Sequence, residues 1–487
     1  MTLLEARSDS AITDRRARWL LAGLLLLSVV VAFVTTSTYD SGDSIKHYLF
    51  ARYAPQHPLN YLDSWAKPLF TILASGPAQA GFMGMKLFQC GVVALSAWSA
   101  YVVARALRLP APELVILFAY AAPDYFLIQF SGLTEPLFGL VLVGAVALAL
   151  TNRPGWSAAL ISWLPFVRSE GFILIGLWVV YLAWRQQWRY LPLLVLGYVL
   201  FSAVGALALG EAGWVFSRNP YATISWYGHG NWPHFVFSLP GLLGWVLLPL
   251  ALTGGVRMLR DCLRPERRQR PLFSAELLLI YGSITVFIAA HTVFWALGLF
   301  NSFGLTRVLT VTTPLFAVVA LNGLAWLTAG ARLPATQRRV RRAVVAAVVL
   351  FPFLGTRQGF RWQRDFTRLP DQEVAENAAA WLRKTYGLGT RPLAYEFPYV
   401  ALATQHDFFD PQARPVLNIR NVSQVAMLPV GTLVVWDNWY ARAEANVPLS
   451  QLQSDARFRE RWTEARPRNR SRPEGDSTRI IVFERVR

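Results

Sequence analysis

Two kinds of side chain stand out by where they sit. Carboxylates occur at Asp40, Asp43, Asp63, Asp124, Glu135, Glu170 and Glu211, each in or beside a connection between apolar stretches. Solitary cations occupy the same regions, at Lys46, Arg52, Lys67, Lys86, Arg168, Arg218 and Arg307. A carboxylate can take a proton from a hydroxyl and return it. An isolated ammonium or guanidinium can hold a phosphate or another anion. Ionisable groups next to apolar spans are costly unless they serve a site, so their gathering at one membrane face points to an outward-facing active cavity. On a helix, Asp43, Lys46 and His47 share one face by their i, i+3, i+4 spacing.

The elements that must position them are membrane spans. Of 487 residues, 54% are hydrophobic and 16% charged, against roughly 25% charged in an ordinary soluble domain. That excludes a disordered chain and argues against one water-soluble globule. Two cysteines, Cys90 and Cys262, are too few for a disulfide framework or a Cys-based metal site. Both lie in or beside apolar segments, as small buried side chains do. A span needs about 20 apolar residues. The first runs from Trp19 to about Thr36, and the others are 82–104, 113–131, 133–150, 156–167, 171–184, 190–210, 239–256, 272–292, 306–329 and 343–356. The expected fold is therefore mainly α, a polytopic helical bundle of about eleven spans, several of them short.

Charge sets the orientation. The net charge of +18 does not signal nucleic acid, because the bases lie in short runs between apolar segments and do not interleave with aromatics. The pair 156–167 and 171–184 reads either as one long helix or as two short ones meeting at Arg168-Ser169-Glu170. Two segments keep 257–270, with its six arginines, on the cytoplasmic side; one helix would invert every later loop. The N-terminus, behind an uncleaved anchor, then lies in the cytoplasm and the tail outside.

Two outer loops are long. Residues 37–81 carry Ile45, Tyr48, Leu49 and Tyr53 at rough helical spacing, as in a helix along the interface. Residues 211–238 hold Trp214, Arg218, Asn219, Tyr221, Trp226, Tyr227, His229, Asn231, Trp232 and His234, a set that suits either sugar binding or an interfacial aromatic belt. The chain divides into a membrane domain, 1–356, and a tail, 357–487, that reads as a small α/β extracytoplasmic domain. Asp371–Tyr386 has an amphipathic helical pattern, with Val374, Ala378, Trp381 and Leu382 on one side. Pro392–Phe397, Gly431–Trp436 and Ile480–Phe483 read as strands. Arg457–Arg472 is a basic run, read as a solvated face rather than a dock for an anionic polymer.

Several strings carry a resemblance. Gly42-Asp43-Ser44-Ile45-Lys46-His47-Tyr48 follows the first span. Then come Trp65-Ala66-Lys67-Pro68, Leu133-Thr134-Glu135-Pro136-Leu137-Phe138 and Val167-Arg168-Ser169-Glu170-Gly171, and Arg307 opens a late span running to Pro314. In order, spacing and outward placement they resemble polytopic GT-C-fold glycosyltransferases of the bacterial mannosyltransferase and aminoarabinose-transferase type. The resemblance covers most of residues 15–356. It implies a polyprenyl-phosphate sugar as donor and a lipid, glycan or protein acceptor that the sequence does not specify. It implies a cavity at the outer leaflet of the bacterial inner membrane, a periplasmic tail, and an Asp of the first outer loop as general base or acceptor-positioning group.

Carried onto this sequence, the resemblance makes Asp43 the expected base and Asp40 the runner-up. Either could instead cap the interfacial helix. Glu135 is a second cavity acid or a helix-start acid complementing the macrodipole. His47 orients Asp43, touches donor phosphate or is a plain interfacial histidine. Lys67 and Arg307 contact donor phosphate or snorkel to headgroups. Arg168 with Glu170 forms either a self-contained pair or part of the phosphate site, and Trp65 is a candidate substrate contact beside Lys67. Asp40, Asp43, Glu135 and His47 could together hold a divalent cation, with no diagnostic spacing and no certain cofactor. The competing readings are a transporter or flippase of lipid-linked sugars, for which no internal repeat is seen, and an assembly protein whose tail is the working part.

Overall fold

The computed structural model describes residues 3–221, 223–329, 333–356, 358–410, 427–468 and 476–487, with side chains from Ile12 onward. Helix α1 (Leu3–Val34) leads into a non-helical stretch that carries Asp40. Then come α2 (Asp43–Tyr53), α3 (Pro68–Ala78) and α4 (Gly81–Ala106). The 113–131 segment breaks at Pro123 into α5 (Leu114–Tyr120) and α6 (Pro123–Ile128), as a proline without an N–H and with a fixed φ requires. Helix α7 (Glu135–Leu150) starts with an acid and a proline, both suited to a first turn.

The ambiguous stretch resolves as two helices. Helix α8 (Pro154–Ile161) ends in a 3-10 turn over Leu164–Phe166, and α9 (Gly171–Trp184) starts afresh after Arg168, Ser169 and Glu170. Helix α10 (Leu196–Leu209) ends at Gly210, whose left-handed φ of 68° closes it. The second outer loop holds the short α11 (Trp214–Ser217). After it run α12 (His234–Cys262), the turns α13 (Pro265–Arg268) and α14 (Phe273–Ala275), α15 (Ser283–Leu297), α16 (Thr313–Ala329) and α17 (Pro334–Leu350).

All eleven apolar segments return as helical segments. Among the described residues six helical stretches are long and apolar enough to cross a bilayer: Ile12–Val34, Gly81–Ala106, Trp188–Leu209, His234–Cys262, Phe273–Leu297 and Thr306–Ala329. The others are broken or short. Helix α3 was not expected as an element, because its eleven residues are too few to read as a span.

The tail is an α/β unit. It contains α18 (Trp362–Asp365), α19 (Pro370–Tyr386), β1 (Leu393–Tyr395), α20 (Pro398–Thr404), β2 (Leu433–Asp437), β3 (Phe458–Pro467) and β4 (Ser477–Arg485). The sheet order is β1-β2-β4-β3. Strand β1 runs parallel to β2, with Leu393 opposite Leu433. Strand β4 is antiparallel to both neighbours, with Val482 opposite Val435 and Ile481 opposite Thr463. Val374, Ala378 and Leu382 of α19 are buried in one core with Val435, Ile480 and Val482. The expected helix and three strands are present. The basic run adds a strand, β3, because its alternating pattern was masked by arginines. Those arginines pair locally, Arg461 with Glu484 and Arg466 with Glu373 and Glu464; residues 469–472 of the run lie outside the described residues.

The tail is stitched to the first outer loop. Thr36 N–H donates to Phe366 O at 2.9 Å. Gln372 Nε2 donates to Thr38 Oγ1 at 2.9 Å and to Ser41 Oγ at 3.0 Å. Tyr53 OH donates to His406 O at 3.1 Å, and His57 pairs with Asp407 at 2.9 Å.

Candidate active site

The loop after α1 turns sharply at Tyr39, which holds φ 69°. Asp40 follows, and its Oδ1 accepts the N–H groups of Gly42 at 2.8 Å and Ser44 at 3.1 Å. The N-cap of α2 is Gly42, so Asp40 is not the cap residue the sequence left open; its Oδ1 nevertheless takes a first-turn N–H and ties the loop to the start of α2. Gly132 sits against the same turn: its N–H donates to Ser44 Oγ at 2.8 Å, and a Cβ there would lie 2.2 Å from Ser44 O. Helix α2 thus presents Asp43 and His47 on one side. A second left-handed residue, Lys67 at φ 69°, directly precedes Pro68. Non-glycine residues held there cost on the order of 1–3 kcal/mol and cluster at working sites.

These segments enclose a cavity of about 510 Å³. The nine residues to which the resemblance assigned a role in the site all line it: Asp40, Asp43, His47, Trp65, Lys67, Glu135, Arg168, Glu170 and Arg307. They come from the first outer loop, the start of α7, the α8–α9 junction and the stretch ahead of α16.

Arg307 is the hub of one half. It bridges Asp40 Oδ2 and Asp43 Oδ2 through its two terminal nitrogens, while Nε lies 3.6 Å from Glu135 Oε1. The Asp43 side chain is 44% exposed, that of Asp40 21% and that of Glu135 1%. Among the described residues nothing hydrogen-bonds Asp43 Oδ1, which leaves it open to the cavity. Both Asp40 oxygens are engaged. Glu135 is ion-paired, 3.0 Å from Arg168 Nη1, yet neither of its oxygens has a hydrogen bond of good geometry.

Arg168 anchors the other half. Its Nη2 donates to Glu170 Oε1 at 2.9 Å and its Nη1 to Thr134 Oγ1 at 3.2 Å. Burial disfavours the charged Glu170, but Arg168, then His291, hold its carboxyl below the usual range. Lys67 differs from the other cations. Its Nζ donates to Ser64 O at 2.8 Å and Ser169 Oγ at 2.9 Å and lies 4.8 Å from the Tyr221 ring centre, with no carboxylate in ion-pair reach among the described residues. Burial pushes its ammonium down to about 8, partly offset by Glu170. His47 stacks on Trp65 at 4.6 Å, and Ala66 O lies 3.2 Å from its Nδ1. Burial, then Arg168 and Lys67, lowers it to about 3, so His47 is neutral at physiological pH.

The cavity also has walls that the sequence did not assign. Asn219, Tyr221 and Tyr227 come from the second outer loop, whereas Trp226 and Trp232 of that loop face outward. The loop therefore divides between the site and its periphery. His291, within α15, lies 3.5 Å from Glu170; an ionisable group inside a span is itself a signal. Trp439, Tyr440 and Glu444 arrive from the tail. Asp437 at the end of β2 places them, its oxygens accepting the N–H groups of Trp439 at 2.9 Å, Tyr440 at 2.5 Å and Ala441 at 3.1 Å. Lys86, Arg52, Asp63 and Glu211 lie apart, tied to backbone or local partners.

A divalent ion does not fit these residues as they stand. The guanidinium of Arg307 occupies the space between Asp40 and Asp43 that a cation would take, and among the described residues no three metal-binding side chains stand close enough together to hold one ion.

Comparison of the backbone with solved structures decides the architecture. ArnT from Cupriavidus metallidurans, solved bound to undecaprenyl phosphate, superposes with a TM-score of 0.60 at 13% identity, covering 95% of this chain and 97% of that one. Its apo structure gives 0.60 at 12% identity, covering 96% and 98%. The fold is that of ArnT. The GT-C-like helical bundle with a small C-terminal α/β unit, expected from the sequence, is thus the fold observed. No protein-family model matches the sequence, and comparison with curated proteins gives no match.

Proposed function

We propose that the chain is a membrane glycosyltransferase that moves a sugar from a polyprenyl-phosphate donor to an acceptor hydroxyl at the outer face of the bacterial inner membrane. Residues 1–356 form the catalytic membrane domain, with the N-terminus cytoplasmic, and 357–487 a periplasmic domain that completes the cavity wall. The observation that carries this reading is one cavity in which, among the described residues, a carboxylate oxygen, Asp43 Oδ1, accepts no hydrogen bond and a cation, Lys67, has no carboxylate in ion-pair reach. The likeness to a protein solved with undecaprenyl phosphate supports the donor class.

In this reading Asp43 Oδ1 takes the proton of the acceptor hydroxyl. The hydroxyl oxygen bonds to the anomeric carbon as the bond to the phosphate oxygen breaks, and that bond's electron pair passes to the phosphate. Lys67, assisted by Arg168, stabilises the charge that develops there. Arg307 fixes the carboxylate of Asp43, and Asp40 fixes the loop. Neutral His47 packs Trp65 beside Lys67 and orients the wall.

The test is sugar transfer by the purified full chain in lipid, from a radiolabelled polyprenyl-phosphate sugar to extracted envelope acceptors. Asp43→Asn should lose about 10²–10⁴-fold in kcat while still binding donor and keeping its melting temperature. Transfer at the wild-type rate by this variant would remove Asp43 from the chemistry; no transfer by the wild type with any donor would remove the reading itself.

A further inference from the structure

A second cavity, of about 580 Å³, lies between α1 and α17, floored by the residues that lead into α5. Arg16, Arg341 and Arg342 stand around it, and Ala111, Leu114, Val345 and Ala346 supply apolar wall. It is remote from the site described above. Arg16 lies about 27 Å along the continuous α1 from Val34, beyond which the site loop begins. Two other bases at that end of the bundle are neutralised: Arg105 pairs with Asp14, and Arg270 with Asp261 at 2.8 Å. Among the described residues Arg16, Arg341 and Arg342 make no ion pair and no hydrogen bond. One acid joins them, Glu113, whose buried Oε2 has no hydrogen-bond partner.

We propose that this groove binds one anionic glycerophospholipid from the leaflet opposite the active-site cavity. The three guanidiniums take the phosphodiester, in the way that basic pockets between spans hold anionic headgroups. Glu113 Oε2 accepts a headgroup hydroxyl, which favours a glycerol headgroup. The acyl chains lie along surface that both helices leave uncovered. On α17 that surface continues from Val345 to Val349, which is exposed, and to Leu350. On α1 the exposed Trp19 stands one turn above Arg16, at the depth where interfacial indoles sit. With three bases against one acid, the groove favours a net anionic lipid over a zwitterionic one.

The experiment uses the full chain, purified and stripped of lipid, with thermal unfolding and native mass spectrometry as readouts. Phosphatidylglycerol should raise the melting temperature of the wild type and leave one lipid bound; phosphatidylethanolamine and inorganic phosphate should not. Each arginine near a headgroup is worth about fivefold, so R16Q/R341Q/R342Q should need about a hundredfold more phosphatidylglycerol for the same shift. Ala346→Trp fills the groove with its charges intact and should abolish the bound lipid, so it decides the matter if the triple variant does not fold. Equal responses to phosphatidylethanolamine or to inorganic phosphate would overturn the proposal, as would wild-type lipid retention by A346W.

Discussion

Lys67 offers the sharpest quantitative test of the donor side. Its ammonium is buried against neutral oxygens and a ring, and desolvation brings it down to about 8. A lysine with a depressed value loses its charge as pH rises through that value. The charged fraction then falls from about nine-tenths at pH 7 to about one-tenth at pH 9, so kcat/KM for the donor should drop about tenfold over that interval. Bound phosphate would restore the charge, so kcat at saturating donor should fall at a higher pH than kcat/KM does. Lys67→Arg keeps its charge throughout, and its alkaline limb should disappear. Lys67→Met should lose about 10²–10³-fold at every pH, the usual effect of removing a donor aimed at developing charge. The assay is initial-rate sugar transfer at varied donor, with melting temperature followed at each pH. An unchanged limb near pH 8 in Lys67→Arg would assign it to another group; a wild-type donor KM in Lys67→Met would take Lys67 out of the phosphate site.

Three other outcomes are expected. Asp40→Asn keeps an oxygen for the Gly42 and Ser44 N–H groups, so it should fold normally and retain more transfer than Asp43→Asn, whereas Asp40→Ala should also lose about 1 kcal/mol of stability in denaturant unfolding. Gly132→Ala forces a Cβ onto the Ser44 carbonyl and should cost about 1–3 kcal/mol together with activity, because it displaces the helix bearing Asp43; Gly91→Ala, in the middle of α4 with nothing within 4 Å, is the control and should keep activity and lose no stability. Tyr440→Ala removes a cavity wall that stacks on Phe397 at 5.1 Å and should raise acceptor KM about two- to tenfold with little change in kcat, while Tyr440→Phe stays near wild type.

The bundle and the inner ring of the cavity were legible in the sequence for one reason. A charge beside an apolar span is expensive, so its position is informative without knowledge of what it touches. Asp43, Glu135, Lys67, Arg168 and Arg307 all obeyed that rule and converged. The break at Arg168–Glu170 followed from charge placement and appears between α8 and α9. Tyr440 and Glu444 could not be found this way, since they reach the cavity only through long-range docking of a water-exposed domain where charges are cheap. Nor could local spacing separate Tyr221, inside the cavity, from Trp226, outside it: the same aromatic composition serves both. Strand β3 was hidden because its alternation is written in arginines rather than in apolar residues.

The break between α8 and α9 has a consequence for the lipid around the molecule. Fourteen residues of α9 reach about 21 Å, well short of the roughly 30 Å hydrocarbon slab. A stretch that short draws the neighbouring leaflet thinner. In the reaction proposed above, that short wall sets the charged lip, Arg168 to Glu170, nearer the hydrocarbon, where the head of a long isoprenoid donor would meet the chamber without being lifted clear of the oil.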